Sequence, residues 1–327
     1  MKDNTMLATT ETPTPRGRRP FTPSSALIAL LALVLYNIVA NPNFLTLNSL
    51  NINMTQSATI LIVAVGMTFV IATGGIDLSV GSVMAISGAI APLLFLDRGL
   101  SPIVALPLAV ILPLCAAALC GAFNGLLVTR FRIQPIIATL VLFIAGRGVA
   151  QVVSGGALVN FTGASFTALG TTRIFGVNIQ VFLMLAILVI ATWVMRSTLF
   201  GRYVVAVGGN DRASRLAGVP VNRTRITVYV ISGVLAGLAG LITIAVNSSS
   251  DANLVGQNME LDAIAAVAVG GTALSGGRVT LVGTLVGALF IQLLRYTLLV
   301  NGVPDAAALV VKAAIIIAAV ALQYRRK

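Results

Sequence analysis

The sequence predicts an all-α, polytopic transmembrane helical bundle of about ten spans with an internal pseudosymmetric repeat, and three observations carry that expectation. Of 327 residues, 57% are hydrophobic and only 9% charged, against about 25% charged in an ordinary soluble domain. Apolar runs recur along nearly the whole chain, and a bilayer-crossing helix needs about 20 mostly apolar residues. An internal repeat is also visible: Gly74-Gly75-Ile76-Asp77-Leu78-Ser79-Val80-Gly81 returns as Gly270-Gly271-Thr272-Ala273-Leu274-Ser275-Gly276-Gly277, sharing the pattern GGxxLSxG. A single water-soluble core is excluded.

Residues 1–24 are rich in Thr, Pro and Arg and cannot bury a core, so they read as a disordered cytoplasmic tail before a transmembrane domain over 25–327. The first apolar run, Ala26–Ala40, has signal-peptide length. The long tail before it and the lack of a small-x-small cleavage site favour an uncleaved first helix. Further spans are expected at Ala58–Thr73, Val80–Leu96, Ile103–Val128, Ile136–Val153, Val177–Met195, Thr227–Val246, Leu261–Leu274, Leu281–Val300 and Ala306–Gln323.

Charge sets the orientation. With the N-terminus in the cytoplasm, Lys2, Arg16, Arg18, Arg19, Arg130, Arg132, Arg196, Arg202, Arg212, Arg215, Arg223, Arg225, Arg278, Arg325, Arg326 and Lys327 fall inside, and only Arg98 and Arg173 fall outside. Basic residues concentrate in cytoplasmic loops, so both termini are expected in the cytoplasm. The net charge of +12 then belongs to membrane topology, and nucleic acid is not an expected partner.

Absences narrow the chemistry. Without histidine, imidazole metal sites and Ser-His-Asp catalysis are excluded. Cys115 and Cys120 lie in one apolar stretch and read as small buried hydrophobes. None of the three lysines, Lys2, Lys312 and Lys327, follows the glycine spacing of a phosphate-binding P-loop, so this chain does not hydrolyse ATP by that route. No cofactor or metal is expected.

In each GGxxLSxG copy an apolar segment precedes the glycine pair and a Gly-rich apolar segment follows. Gly74, Gly75, Asp77, Ser79 and Gly81, with Gly270, Gly271, Ser275 and Gly277, therefore admit two readings. They are mid-membrane helix breaks on a transport pathway, or tight cytoplasmic turns using glycine for positive φ and close packing. The longest inside loop, 196–226, carries a short helix signature. Asn210 or Asp211 can cap it, Ala213 to Ala217 propagate it, Gly218 ends it and Pro220 prevents continuation. Ala213, Leu216 and Ala217 share an apolar face beside a basic edge of Arg212 and Arg215. Such a helix suits a groove on a partner protein; the alternative is a helix lying on the interface near anionic lipid.

Ionisable residues at membrane depth are costly and suggest function. Asp77 can cap the restarted helix, Arg147 is expected to pair with a carboxylate or carbonyls inside the bundle, and Arg295 and Lys312 are further candidates. Glu260 and Asp262 flank the outer start of a span, either contacting an external partner or sitting solvated. Asn124, Gln134, Gln151 and Gln292, with Arg147, are the polar candidates for a solute pathway.

Three segments carry a resemblance: Gly66 through Ser82, Gln134-Pro135-Ile136-Ile137-Ala138-Thr139-Leu140, and Glu260 through Ala266. With Gly208-Gly209-Asn210 and Gly270-Gly271-Thr272, they resemble the ribose/xylose/arabinose/galactose-type ABC importer permeases from about Phe44 onward. Ala145 through Gln151 resembles the galactofuranose-type branch. The resemblance implies a multi-pass subunit of the bacterial inner membrane that translocates a monosaccharide such as galactofuranose or a ribose-like sugar. It further implies a cytoplasmic ABC ATPase, a periplasmic sugar-binding protein and a second permease chain; the inside helix from Asn210 to Gly218 in the 196–226 coupling loop offers that ATPase a docking surface. Two rival classes are an ion-coupled secondary transporter of a small polar solute, for which only Asp77 and Asp262 are available, and a membrane enzyme, for which no catalytic constellation is visible.

Overall fold

A computed structural model of the chain describes residues 25–96, 101–161 and 164–325; the predicted tail, Asp97 and Arg98 lie outside the described residues. These residues form thirteen helices and four two-residue strands. In order they are α1 (Ser25–Ala40), α2 (Leu47–Ala72), α3 (Val80–Phe95), α4 (Pro102–Thr129), α5 (Pro135–Ser154), β1 (Val159–Asn160), α6 (Ala164–Thr171), β2 (Arg173–Ile174) and β3 (Val177–Asn178). There follow α7 (Ile179–Ser197), α8 (Leu199–Gly209), α9 (Asp211–Leu216), α10 (Val221–Asn247), β4 (Ser249–Ser250), α11 (Met259–Val269), α12 (Leu281–Val300) and α13 (Asp305–Arg325).

Each of the ten predicted apolar segments coincides with a helix, and among the described residues six helices are long and apolar enough to cross a bilayer: those at Leu47–Ala72, Ile103–Thr129, Pro135–Ser154, Ile179–Ser197, Val221–Asn247 and Leu281–Val300. Apolar helices at Ala26–Ala40, Val80–Phe95 and Leu199–Gly209 are shorter, and the apolar stretch Ala306–Ile315 belongs to the 21-residue α13. The segment expected at Leu261–Leu274 is an 11-residue helix, about 16 Å long at 1.5 Å per residue and thus half the bilayer core.

The centre is α2, whose residues 57–72 are all buried; a helix apolar on every side belongs inside the bundle. It begins at Leu47 rather than the predicted Ala58, because Thr46 caps it by accepting from the Ser49 N–H. Its first turns invert the soluble pattern, with Asn51, Asn53, Thr55 and Ser57 buried and Ile52 and Met54 exposed. The Asn51 amide donates to the Gly176 carbonyl and the Asn178 amide to the Thr55 hydroxyl.

Helix α10 packs against α2, α3 and α4, α5 lies on α3, α7 on α2, and α12 joins α11 and α1 to α2. The α4–α10 contact is backbone-close: a Cβ on Gly121 would lie 2.3 Å from the Tyr229 carbonyl oxygen, and one on Gly233 2.4 Å from that of Ala117. Cys115, expected to be buried, is exposed on the apolar helix α4, and Cys120 is half-buried; a small apolar thiol suits an apolar helix surface as well as a core.

Close contacts gather the α2–α3 break, the α4–α5 turn, α9 and the α11–α12 connection at one end of the bundle. The opposite end holds two small antiparallel pairs. β1 pairs with β4 (Val159↔Ser250, Asn160↔Ser249). β2 and β3 form a hairpin turned by Phe175 and Gly176, with φ of 52° and 81°.

Candidate functional site

The predicted loop 196–226 is helical almost throughout: α7 closes, α8 follows, and α9 and the start of α10 complete it. Asn210 caps α9 by accepting from the Ala213 N–H at 2.9 Å. At its end the Gly218 N–H donates to the Arg215 carbonyl and the Val219 N–H to that of Ser214, with Gly218 at φ +79°. Ser214 turns inward, while Ala213, Leu216 and Ala217 are exposed and Leu216 is 86% exposed. Arg212 is exposed, whereas Arg215 is drawn toward Asp211 (3.4 Å) and the Asn222 side chain (3.1 Å).

Both GGxxLSxG copies end a helix in the same way, with the capping glycine displaced by one position. After α2, the Gly75 N–H reaches the Val70 carbonyl and Gly74 takes φ +82°; after α11, the Thr272 N–H reaches that of Val267 and Gly271 takes φ +85°. In each pair the other glycine serves packing. A Cβ on Gly75 would lie 2.6 Å from the Tyr229 hydroxyl, and one on Gly270 2.4 Å from the Gly283 carbonyl carbon. Of the remaining repeat glycines, Gly81 lies against the Gly256 carbonyl and Glu260, and Gly277 takes φ +76°.

The two breaks touch each other and the approach to α9. The Gly277 N–H donates to the Ala72 carbonyl at 3.0 Å, and Ser275 presents its carbonyl to Gly74. Gly208, near the end of α8, fits between them: a Cβ there would lie 1.8 Å from the Ala72 oxygen and 2.6 Å from the Gly277 nitrogen. Sequence reasoning noted Gly208 only as part of a resemblance, because its necessity arises from distant backbone.

Asp77 is buried at the start of α3. Its Oδ1 accepts from the Ser79 N–H (3.0 Å) and hydroxyl (2.6 Å), and its Oδ2 from the Ser232 hydroxyl (2.8 Å). Asn124 donates to the Ser79 hydroxyl oxygen at 2.8 Å. The network fastens α3, α4 and α10 around the break, and Ser232 had no signal in the sequence.

The polar candidates divide. Arg147 donates to the Ala252 and Val255 carbonyls at 2.7 and 2.6 Å, and Gln151 to the Asn253 side chain at 2.6 Å, so both hold the turns before α11. Gln292 donates to Gln56 across α12 and α2. Gln134 lines an open cavity of about 800 Å³ beside the first break, between the α4–α5 turn, α9 and α10. Glu260 and Asp262 are buried, neither solvated nor presented to an external partner. Asp262 is held by Lys312 of α13 at 2.6 Å, which apolar surroundings demand of both charges.

Comparison with known proteins adds the family level. The family described as branched-chain amino acid transport system / permease component matches residues 49–320. The chain is 41% identical to ribose import permease protein RbsC of Escherichia coli (strain K12) over 97% of its own length and 99% of the relative's. It is 38% identical to galactofuranose transporter permease protein YtfT of the same strain, over 98% and 94%. It is also 39% identical to that strain's inner membrane ABC transporter permease protein YjfF, over 77% and 76%. No solved structure matches.

Proposed function

Because the chain belongs to the branched-chain amino acid transport system / permease component family, we propose that it is the membrane-spanning permease subunit of an ATP-binding-cassette importer that carries a monosaccharide. It is not itself the enzyme: ATP hydrolysis belongs to a separate subunit. The observation that carries this reading is near end-to-end similarity to permeases named for ribose and galactofuranose; both names support a ribose-like or furanose sugar here.

The α9 end of the bundle faces the cytoplasm, as the distribution of arginines suggests, and both termini lie on that side. The shorter helices complete about ten crossings together with the six long ones, in a duplicated arrangement. The ATPase docks on Ala213, Leu216 and Ala217, an apolar face left exposed on a helix fastened by caps at both ends. Gly208 carries the resulting displacement to both helix breaks, whose rearrangement opens the pathway to alternate sides. The opposite end receives sugar from a periplasmic binding protein, a second permease chain completes the pathway, and bilayer lipid of the inner membrane covers exposed side chains such as Leu119, Ile144 and Ile190.

The test is uptake by proteoliposomes containing this chain, its ATPase and its binding protein. Labelled ribose or galactofuranose should accumulate only with ATP on the ATPase side. Accumulation driven by a proton gradient without ATP would instead establish an ion-coupled transporter.

A further inference from the structure

The open cavity beside the first break has a composition that sugar passage does not require. Four guanidinium groups line it, those of Arg130, Arg132, Arg215 and Arg225, against the single carboxylate of Asp211. Asp211 is engaged by Arg215 at 3.4 Å and Arg225 at 3.6 Å. Arg130 and Arg132 pair with no carboxylate among the described residues. The fifth group is Tyr229, which lines the same cavity, is 1% exposed and has a hydroxyl without a hydrogen-bond partner.

An uncharged sugar would leave three positive charges uncompensated. A phosphate group is the natural complement, since guanidinium forks bind its oxygens in pairs and the idle phenol supplies another donor. The volume of about 800 Å³ falls in the range of about 300–1,000 Å³ usual for small-molecule sites, larger than a bare phosphate needs.

We propose that this cavity binds a phosphorylated small molecule of sugar size, and that its occupancy slows import. The second part rests on the coupling role of α9 proposed above. The walls belong to elements that must shift against one another during coupling: Asp211 and Arg215 to α9, Gly74 and Gly75 to the first break, Arg130 and Arg132 to the α4–α5 turn. A dianion bridging the Arg130–Arg132 side to Arg215 and Arg225 ties α9 and α10 to the α4–α5 turn and holds α9 in the arrangement seen here. A ligand shifts a conformational equilibrium only through different affinity for the two states, and a site divided among moving parts provides that difference.

The probes are inorganic phosphate and a pentose 5-phosphate, with the free pentose as the uncharged control, titrated calorimetrically into the purified full-length chain. Both phosphates should bind, the pentose ester more tightly, and the free pentose should give no heat at this site. R130Q/R132Q should weaken the ester about tenfold or more, Y229F by a smaller factor, and the double lysine variant R130K/R132K should retain part of the affinity. Nanodiscs with and without phosphatidylglycerol separate the possible sources. Unchanged ester binding in both supports a soluble ligand, and competition by phosphatidylglycerol identifies a lipid headgroup as the occupant and overturns the soluble one. In the reconstituted importer, the ester added on the ATP side should lower uptake by wild type and not by R130Q/R132Q.

No binding by wild type, equal heat from the free pentose, or undiminished ester binding by R130Q/R132Q overturns the site. So does the finding that R130Q/R132Q weakens only capture of the ATPase, which would make the arginines part of that interface. Ester binding without inhibition of a working importer overturns the regulatory step alone. A preparation that binds the ester yet imports no sugar under any condition counts against the permease reading and leaves the site standing.

Discussion

The Gly277 N–H donates to the carbonyl of Ala72 at 3.0 Å, so the last turn of α2 is tied to the connection between α11 and α12. Gly208 of α8 is wedged against this point, with no room for a side chain. Gly208→Ala should therefore lower stability by about 1–3 kcal/mol through overpacking and reduce uptake severely. Gly209→Ala, whose added methyl would meet nothing within 4 Å, should leave both unchanged. Melting of the purified protein in detergent, paired with uptake, checks the contrast.

The two glycine pairs should answer differently to one methyl group. Gly75→Ala strikes the Tyr229 hydroxyl at 2.6 Å, so adding Tyr229→Phe should restore much of the lost stability. Gly271 sits in open space at φ +85°. There Ala costs about 1 kcal/mol of backbone strain, Asn should be tolerated better, and Tyr229→Phe should rescue nothing. A rescue of Gly271→Ala by Tyr229→Phe would disprove the separate roles.

That exchange of roles shows where sequence reading ends. Apolar length located the helices at Pro135–Ser154 and Leu281–Val300 to within about a residue at either end, because each is one unbroken apolar run bounded by residues that stop it. It missed the first eleven residues of α2 and all of α8. In α2, polar side chains such as Asn51 are buried against protein and look like loop. The α9 caps were legible because capping is local chemistry within a few residues. Ser232, Gly208 and the partners of Arg147 were not, since each is defined by backbone or side chains distant in the chain.

Leu216→Asp should leave insertion and melting unchanged, as the side chain is 86% exposed. ATPase copurification should fall by orders of magnitude, because a desolvated, unpaired carboxylate at a docked interface costs several kcal/mol. Normal capture with full transport would return α9 to the interfacial-helix reading.

The Lys312–Asp262 pair gives a double-mutant cycle. Lys312→Met alone should destabilise by about 3–5 kcal/mol, since it leaves a buried carboxylate uncompensated. Lys312→Met with Asp262→Leu should recover most of that loss. Simple additivity in detergent melting would show that the two charges do not depend on each other.

The same pair also orders events at the translocon. Asp262 is synthesised some fifty residues before Lys312, on an 11-residue helix too short to hold itself across the hydrocarbon. Until α13 arrives, that carboxylate lacks the Lys312 ammonium, its one salt-bridge partner among the described residues, and burying it alone is costly. A helix made later thus fixes one made earlier, and a chain cut short before Lys312 leaves the buried Asp262 carboxylate without the ammonium that holds it.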